Sequence, residues 1–410
     1  MKIADKITDD FFRDTNDVTE TVKSIINDVR KNGDSAVKDY TKKFDNTEIE
    51  NFEVSKEEIE NAITSLDKEI LEALKFSIKN VEDFAKAQLG SVKNVCFQAD
   101  GAVLGHKIIP IEKVGCYIPG GNYPLPSTAV MTIVPAKVAG VKEIIAVSPK
   151  TKPVTIAAAH LAGATKIYKI GGVQAIAALA YGTETIPAVD KIVGPGNKYV
   201  ATAKKIVYGD CGTDFVAGPS EVMVIADESA NPEFVAADLL AQCEHDRDAR
   251  AYLLCFDENF AKQVDESAKN FLKTLKTAEI AKFAYEKSVA YIVGNIDEAV
   301  EIANKKAPEH LELCLKNVNN EVDKFRNYGS LFIGNYSAEV FGDYVSGTNH
   351  TLPTSRAARY TGGLSVFDYI KIQTFQKIED AELFAKYASI LAEQEGLFAH
   401  KLASDVRKKH

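Results

Sequence analysis

The stretch VKEIIAVSPKTKPVTIAAAHLAGATKIYKIGGVQAIAALAY, residues 141–181, alternates apolar strand-like runs with helical segments. Val141–Ser148 reads as a strand and Pro153–Gly163 as a helix opened by its proline. Lys166–Ile170 is a second strand and Val173–Tyr181 a second helix. A strand that returns to the same sheet through a helix makes a right-handed crossover, so the sheet is mostly parallel. Working outward, Lys191–Val193 is a short strand that leads through Gly194-Pro195-Gly196 into a helix from Asn197 to Val207. A second run of the same texture begins at Val222–Ala226. It continues through a helix from Pro232 to His245, a strand at Arg250–Phe256 and later strands near Val289–Val293, Leu311–Cys314 and Ser330–Ile333. Two α/β lobes with a junction near 221 follow from this pattern. Residues 1 to about 90 read as charged and helical, with Leu74, Ile78 and Val81 at helical spacing, and a helical tail is expected from about 365. In parallel sheets of this kind ligands collect at the carboxyl ends of the strands.

The chain has 410 residues, 46% hydrophobic and 26% charged, which suits a globular protein of two or three core-bearing units. A net charge of −9 without a concentrated basic face argues against nucleic acid or an anionic membrane as partner. Six cysteines with no CxxC spacing fit a reducing compartment and argue against a disulfide framework and a thiolate zinc site. The N-terminus carries no apolar signal segment and no apolar run reaches bilayer length, so a cytoplasmic, soluble protein is expected.

Two strand-to-helix turns are glycine-rich: Gly171-Gly172-Val173-Gln174 and Gly194-Pro195-Gly196-Asn197. Such turns let backbone N–H groups approach a phosphate at a helix N-terminus, or serve only as tight turns. Neither carries GxGxxG or the P-loop pattern. Tyr117-Ile118-Pro119-Gly120-Gly121 places an aromatic beside a flexible loop, suited to stacking on a base or to ending a strand.

Polar clusters lie farther along. Gln242 and His245, three residues apart on one expected helix, present two donors on one face; with His, Asp and Gln donors and no cysteine, zinc or a similar borderline divalent ion is the expected metal. A polar helix end beside Asp246-Arg247-Asp248 is the plainer reading. Asp343 through His350 reads as a polar loop around Gly347, either functional or a surface turn. Glu309-His310 pairs a carboxylate with an imidazole suited to proton transfer near neutrality. Neighbours on a strand point to opposite faces, so the two share a site only if the backbone there is irregular. Glu395 and His400 lie in the tail, where a histidine is solvated unless the tail wraps another subunit.

These segments together resemble the histidinol dehydrogenase family. The carrying motifs are Tyr117–Gly121, Gly171–Ala177, Gly194–Asn197, Ala217-Gly218-Pro219-Ser220-Glu221 and Gln242-Cys243-Glu244-His245. Pro308-Glu309-His310-Leu311-Glu312 and the run from Asp343 to Pro353 complete the set. The resemblance implies two incomplete Rossmann-like lobes with mostly parallel sheets, a helical N-terminal segment and a C-terminal tail. It implies an N-terminal extension over 1–14 and a main α/β domain formed by 15–113 with 222–364, carrying zinc and catalysis. A second α/β, NAD-binding domain covers 114–221, and a tail over 365–410 reaches the partner subunit of a homodimer.

Gln242, His245 and Asp343, with His400 from the partner, are implied as zinc ligands. Tyr117, Gln174 and Asn197 are implied as NAD contacts. Ser220, Gln242, His245, His310, Asp343, His350, Glu395 and His400 are implied as contacts to a small amino-alcohol substrate. Glu309 and His310 form the proton-transfer pair. The implied reaction is the four-electron, NAD-dependent oxidation of L-histidinol to L-histidine through a bound aldehyde, with zinc holding the substrate. The nearest competitor is a paralogue acting on another polar alcohol, such as a sulfonated diol. A zinc hydrolase using Glu309 and a non-catalytic metal-binding scaffold are more distant ones.

Overall fold

The computed structural model describes residues 1–4, 18–120, 123–215 and 218–409. Gly121, Ala217, His410 and most of the 1–14 extension lie outside the described residues. The chain begins with β1 (Lys2–Ala4), then helices α1 (Thr19–Asp45), α2 (Lys56–Thr64) and α3 (Lys68–Gly90), then β2 (Val95–Ala99), β3 (Ala102–Pro110) and β4 (Lys113–Tyr117). After α4 (Pro126–Ala139), the stretch quoted at the outset folds as β5 (Glu143–Val147), α5 (Pro153–Ala162), β6 (Lys166–Tyr168) and α6 (Gly172–Tyr181). β7 (Lys191–Val193), α7 (Lys198–Val207) and β8 (Gly212–Thr213) finish that winding. The second comprises β9 (Glu221–Ala226), α8 (Pro232–Cys243), β10 (Arg250–Cys255), α9 (Glu258–Phe271), α10 (Ala278–Tyr285), β11 (Val289–Ile292), α11 (Ile296–Lys306), β12 (His310–Cys314), β13 (Ser330–Ile333) and α12 (Glu339–Tyr344). β14 (Ile370–Ile378), α13 (Glu382–Gln394) and α14 (Phe398–Asp405) close the chain.

Two sheets are parallel throughout. The five-stranded one has the order β6-β5-β4-β7-β8, and the six-stranded one β1-β11-β10-β9-β12-β13. In each, the first strand of the winding (β4 or β9) lies between the second and the fourth. That reversal of direction is the doubly wound arrangement, and the crevice beside the first strand is where ligands bind. The third sheet, β14-β3-β2, is antiparallel.

Strands buried on both faces read as continuous apolar runs, and β9 is buried at every residue. Val222 and Val224 pack with Leu239 of α8 and Leu253 of β10 on one face. Met223 and Ile225 pack with Leu254 and Leu311 on the other, as the two-residue period of a strand requires. The five-stranded sheet has its own core, built from Ile145, Val147, Ile176, Leu179 and Ile192 with Val22 and Ile25 of α1.

Two compact units divide the chain. The first, residues 1–87 with 111–369, holds both parallel sheets. The second, residues 88–110 with 370–410, holds the antiparallel sheet and α13 and α14. Two segments depart from the sequence expectations. Lys2–Ala4 is an edge strand paired with β11 rather than helix. The tail opens with β14, which pairs along its whole length with β3 before the helices begin. Of the six cysteines five are buried, and Cys96 on β2 is exposed. Among the described residues no helix is long and apolar enough to cross a membrane.

Candidate active site

The Glu309–His310 pair meets the condition set by strand geometry. β12 starts at His310, and Glu309 lies in a bend just before it, after Ala307 in the left-handed region with φ 51°. The irregular backbone brings Glu309 Oε2 to 3.8 Å from His310 Nδ1. Glu309 Oε2 also accepts the Ser220 hydroxyl at 2.6 Å and the Glu221 N–H at 2.9 Å. Burial raises the Glu309 carboxyl to about 8, against the pull of those two hydrogen bonds. The His310 ring nitrogen Nδ1 lies 3.2 Å from the Glu221 carbonyl, which can only accept, so Nδ1 carries the proton. Nε2 is then left with its lone pair, buried and without a hydrogen-bond partner. Burial lowers His310 to about 3, so the ring stays neutral at working pH.

Around this pair the first unit gathers donors from α8 and α12. α8 starts where the sequence indicates, with Asn231 capping the Glu233 N–H at 2.9 Å and Pro232 in the first turn. It ends at Cys243, short of His245. The His245 N–H bonds to the Gln242 carbonyl at 3.4 Å, a three-residue closure that tightens the helix end while keeping His245 near Gln242. Gln242 is fully buried, and both its side-chain oxygen and nitrogen lack partners. Asp343 sits inside α12 rather than in a loop, so the polar loop starts at Val345. Its carboxylate lies between two imidazoles, 3.9 Å from His245 Nε2 and 3.9 Å from His310 Nε2. Burial raises Asp343 to about 7.

Sequence reasoning missed Glu339. It is 1% exposed, its Oε1 lies 3.7 Å from His310 Nδ1, and its Oε2 has no hydrogen-bond partner. Its one sequence signal, the four-residue spacing from Asp343 on one helix face, reads equally as a solvated helix end. Ligand atoms of His245, Glu339 and Asp343 lie within 4.8 Å of one another. Glu312, quoted as part of a motif but given no role, accepts the Glu339 N–H at 3.0 Å and shares a hydrogen bond with Asp238 of α8. Burial raises Glu312, Glu339 and Asp238, the last to about 6. Among the described residues no lysine or arginine pairs with Glu309, Glu312, Glu339 or Asp343. A concentration of buried carboxyl, imidazole and amide donors with orphaned atoms and no cation fits a divalent metal ion.

The remaining site residues are placed as follows. Ser220 precedes β9 and holds Glu309. His350 has a buried Nε2 without a partner, and burial lowers it to about 4. Glu395 caps the end of α13 and His400 lies in the first turn of α14; both are exposed and both belong to the second unit. Glu309, His310 and Ser220 lie at the amino ends of β9 and β12, the opposite end from the one sequence reasoning favoured. Side chains delivered by a bend before the strand, and by the C-terminal end of α8, are responsible.

The glycine-rich turns obey the rule. Tyr117 ends β4 and Gly194 follows β7, its neighbour, both at carboxyl ends and at the reversal point. The Tyr117 ring is buried, and its hydroxyl accepts the Gly172 N–H at 3.1 Å, tying one glycine turn to the other strand. Gln174, in the first turn of α6, is 1% exposed with its oxygen unpaired. Asn197 is exposed and caps α7 through bonds from the Tyr199 and Val200 N–H groups, which leaves its amide NH2 for other partners.

The description "Histidinol dehydrogenase" belongs to the family model that matches residues 11–408. Histidinol dehydrogenase of Methanocaldococcus jannaschii is 48% identical over 400 residues, covering 96% of this chain and 92% of that protein. The enzyme of that name from Aquifex aeolicus is 47% identical over 395 residues, covering 95% and 92%. A crystal structure of histidinol dehydrogenase from Elizabethkingia anophelis superposes with a TM-score of 0.93 at 39% identity, covering 100% of this chain and 98% of that one. Sequence, fold and the clustered donors agree: the chain belongs to the histidinol dehydrogenase family.

Proposed function

We propose that this chain oxidises L-histidinol to L-histidine in two NAD-dependent steps, in a homodimer whose two sites each draw on both subunits. The observation that supports it most is the cluster in which Glu309 lies 3.8 Å from His310, and Asp343 3.9 Å from both His310 and His245, among carboxyls that pair with no lysine or arginine of the described residues. Gln242, His245 and Asp343, with His400 of the partner subunit, are the assigned zinc ligands. Zinc in such a set supplies a fixed positive point that orients amine and imidazole donors of a substrate, without redox chemistry of its own. NAD supplies the hydride acceptor, at Tyr117, Gln174 and Asn197. Residues 114–221 are assigned to the nucleotide, and 15–113 with 222–364 to the metal and catalysis.

His310 Nε2, neutral and unprotonated, takes the alcohol proton as hydride leaves the carbinol carbon, giving the aldehyde. Glu309, steered by the Ser220 hydroxyl, removes a proton from the water that adds to the aldehyde carbon. The resulting hydrate loses a second hydride and a further proton to become the acid. Overall one alcohol, one water and two NAD+ give one carboxylate, two NADH and three protons. His350 and Glu395 are assigned to the substrate, and the exposed apolar residues of the second unit, among them Ile372, Phe375, Leu391 and Phe398, suit a subunit interface.

The test is NADH formation by the purified chain with histidinol and NAD, run beside a panel of polar alcohols including sulfonated diols. Two NADH per histidinol are expected, lost with a chelator and restored by zinc. No NADH from histidinol, with turnover of another alcohol, would overturn the substrate assignment.

A further inference from the structure

The structure holds a buried ion pair that grips the two peptide units flanking Gly194 in the proposed nucleotide site. Gly194 has φ +116°, in the left-handed region, and a Cβ there would come within 2.2 Å of the Tyr117 carbonyl oxygen. Its backbone N–H donates to Asp214 Oδ2 at 2.8 Å, and its carbonyl accepts from the Lys204 ammonium at 2.8 Å. Lys204 and Asp214 in turn pair with each other, with side chains only 2% and 0% exposed. The Lys204 ammonium also lies 5.8 Å from the centre of the Phe215 ring. Both polar groups of a single glycine are therefore held by opposite charges, at the start of the turn that carries Asn197 to the head of α7.

We infer that Lys204 and Asp214 are positioning residues for the cofactor, locking the Gly194-Pro195-Gly196-Asn197 turn in its receiving shape before the nucleotide arrives. This rests on the reading that the turn contacts NAD. A tight turn alone needs glycine and a cap, both of which are present without the ion pair. Burying two charges adds little net stability, because desolvation offsets their attraction. What the pair does supply is a fixed orientation for the two peptide units on either side of Gly194, which would otherwise be free to rotate at the open end of a short strand. A turn held in place loses less conformational freedom on binding, which appears as affinity.

Two measurements test it. The first compares NADH binding, read by the fluorescence of the bound nicotinamide, in wild type, N197A and the double variant K204M/D214N. The double variant removes both charges while keeping side chains of similar size. Expected is a roughly tenfold weaker Kd for NADH and a higher KM for NAD, with zinc content and the KM for histidinol unchanged. A merely structural role would instead move every parameter together with the melting temperature. N197A separates the two layers. If it binds NADH normally, the nucleotide assignment of the turn fails. If it binds weakly while a folded K204M/D214N binds like wild type, the clamp alone fails.

The second measurement needs no variant. Hydrogen exchange of the Val193–Asn197 segment in the nucleotide-free wild type should show the Gly194 N–H protected like the sheet amides. Exchange at the rate of an open turn overturns the proposal even if the double variant does not fold.

Discussion

At the scale of single residues, Glu309 carries the sharpest expectation. Its carboxyl is raised from an ordinary 4.5 to about 8 because burial penalises the anion. A group whose folded pKa is raised stabilises the fold below its unfolded value and loses that contribution as pH climbs through the folded one. Metal-free protein should therefore melt at progressively lower temperature between about pH 4.5 and about pH 8, and Glu309→Gln should flatten that slope. Scanning fluorimetry across that range checks it, and an unchanged slope in the variant rejects the assignment. The glutamine oxygen can still accept from Ser220 and Glu221, so the fold should survive. Oxidation of the aldehyde should nevertheless slow by about 10²–10⁴-fold, since water addition loses its base. With cation bound, the wild-type rate should rise with pH along a limb that ends below about pH 8, because a nearby positive charge favours the carboxylate. Part of this cluster was legible beforehand: Glu309 and His310 by adjacency, and Gln242 and His245 by a spacing that alone reads as well as a polar helix end. Glu339 was not, because a glutamate in the first turn of a short helix reads as a solvated end. Only its contact with His310 and its burial under α8 and β12 set it apart.

At the scale of elements, α8 joins core and site. Leu239 is fully buried against β9 and β10, one turn from Gln242. Leu239→Ala should cost about 2–5 kcal/mol by leaving a cavity, and Asn231→Ala about 1 kcal/mol by losing the cap. Urea unfolding reads both. Equal midpoints for wild type and Leu239→Ala would mean that α8 is not seated on the sheet as described. The alternation of strand and helix from 141 to 207 was readable to within a few residues, since its apolar runs and glycine stops agree at every level. β14 escaped because its residues are almost all exposed, so no buried face stamps a pattern on its sequence. The opening strand escaped because three residues carry too little periodicity to be seen. The gathering of Ser220, Glu309 and His310 at the amino ends of β9 and β12 was also hidden. A rule about strand ends does not know that Ala307 and Glu309 bend the chain before β12 starts.

At the scale of the whole molecule, the two parallel sheets repeat one winding but use it differently. The first keeps its glycine turns at the carboxyl ends, while the second delivers acids and imidazoles at the opposite ends. The proposed sharing of each site between subunits has a direct genetic test. Asp343→Asn and His400→Ala should each be inactive alone, yet unfolding and refolding the two together should restore turnover. Mixed dimers place both lesions in one site and leave the other intact. Continued inactivity of refolded mixtures, with dimers demonstrated by light scattering, would show that His400 acts within its own chain.

The distribution of thiols has a practical outcome. Burial pushes Cys116 and Cys211 up to about 12 and Cys243 and Cys255 to about 11, so these sulfurs stay protonated and shielded from electrophiles. Cys96, on the outer strand of the small antiparallel sheet, faces solvent in a single chain. A maleimide dye would thus tag this polypeptide at one place without cysteine deletions, and its rate of attachment would report whether the proposed subunit pairing screens that sheet.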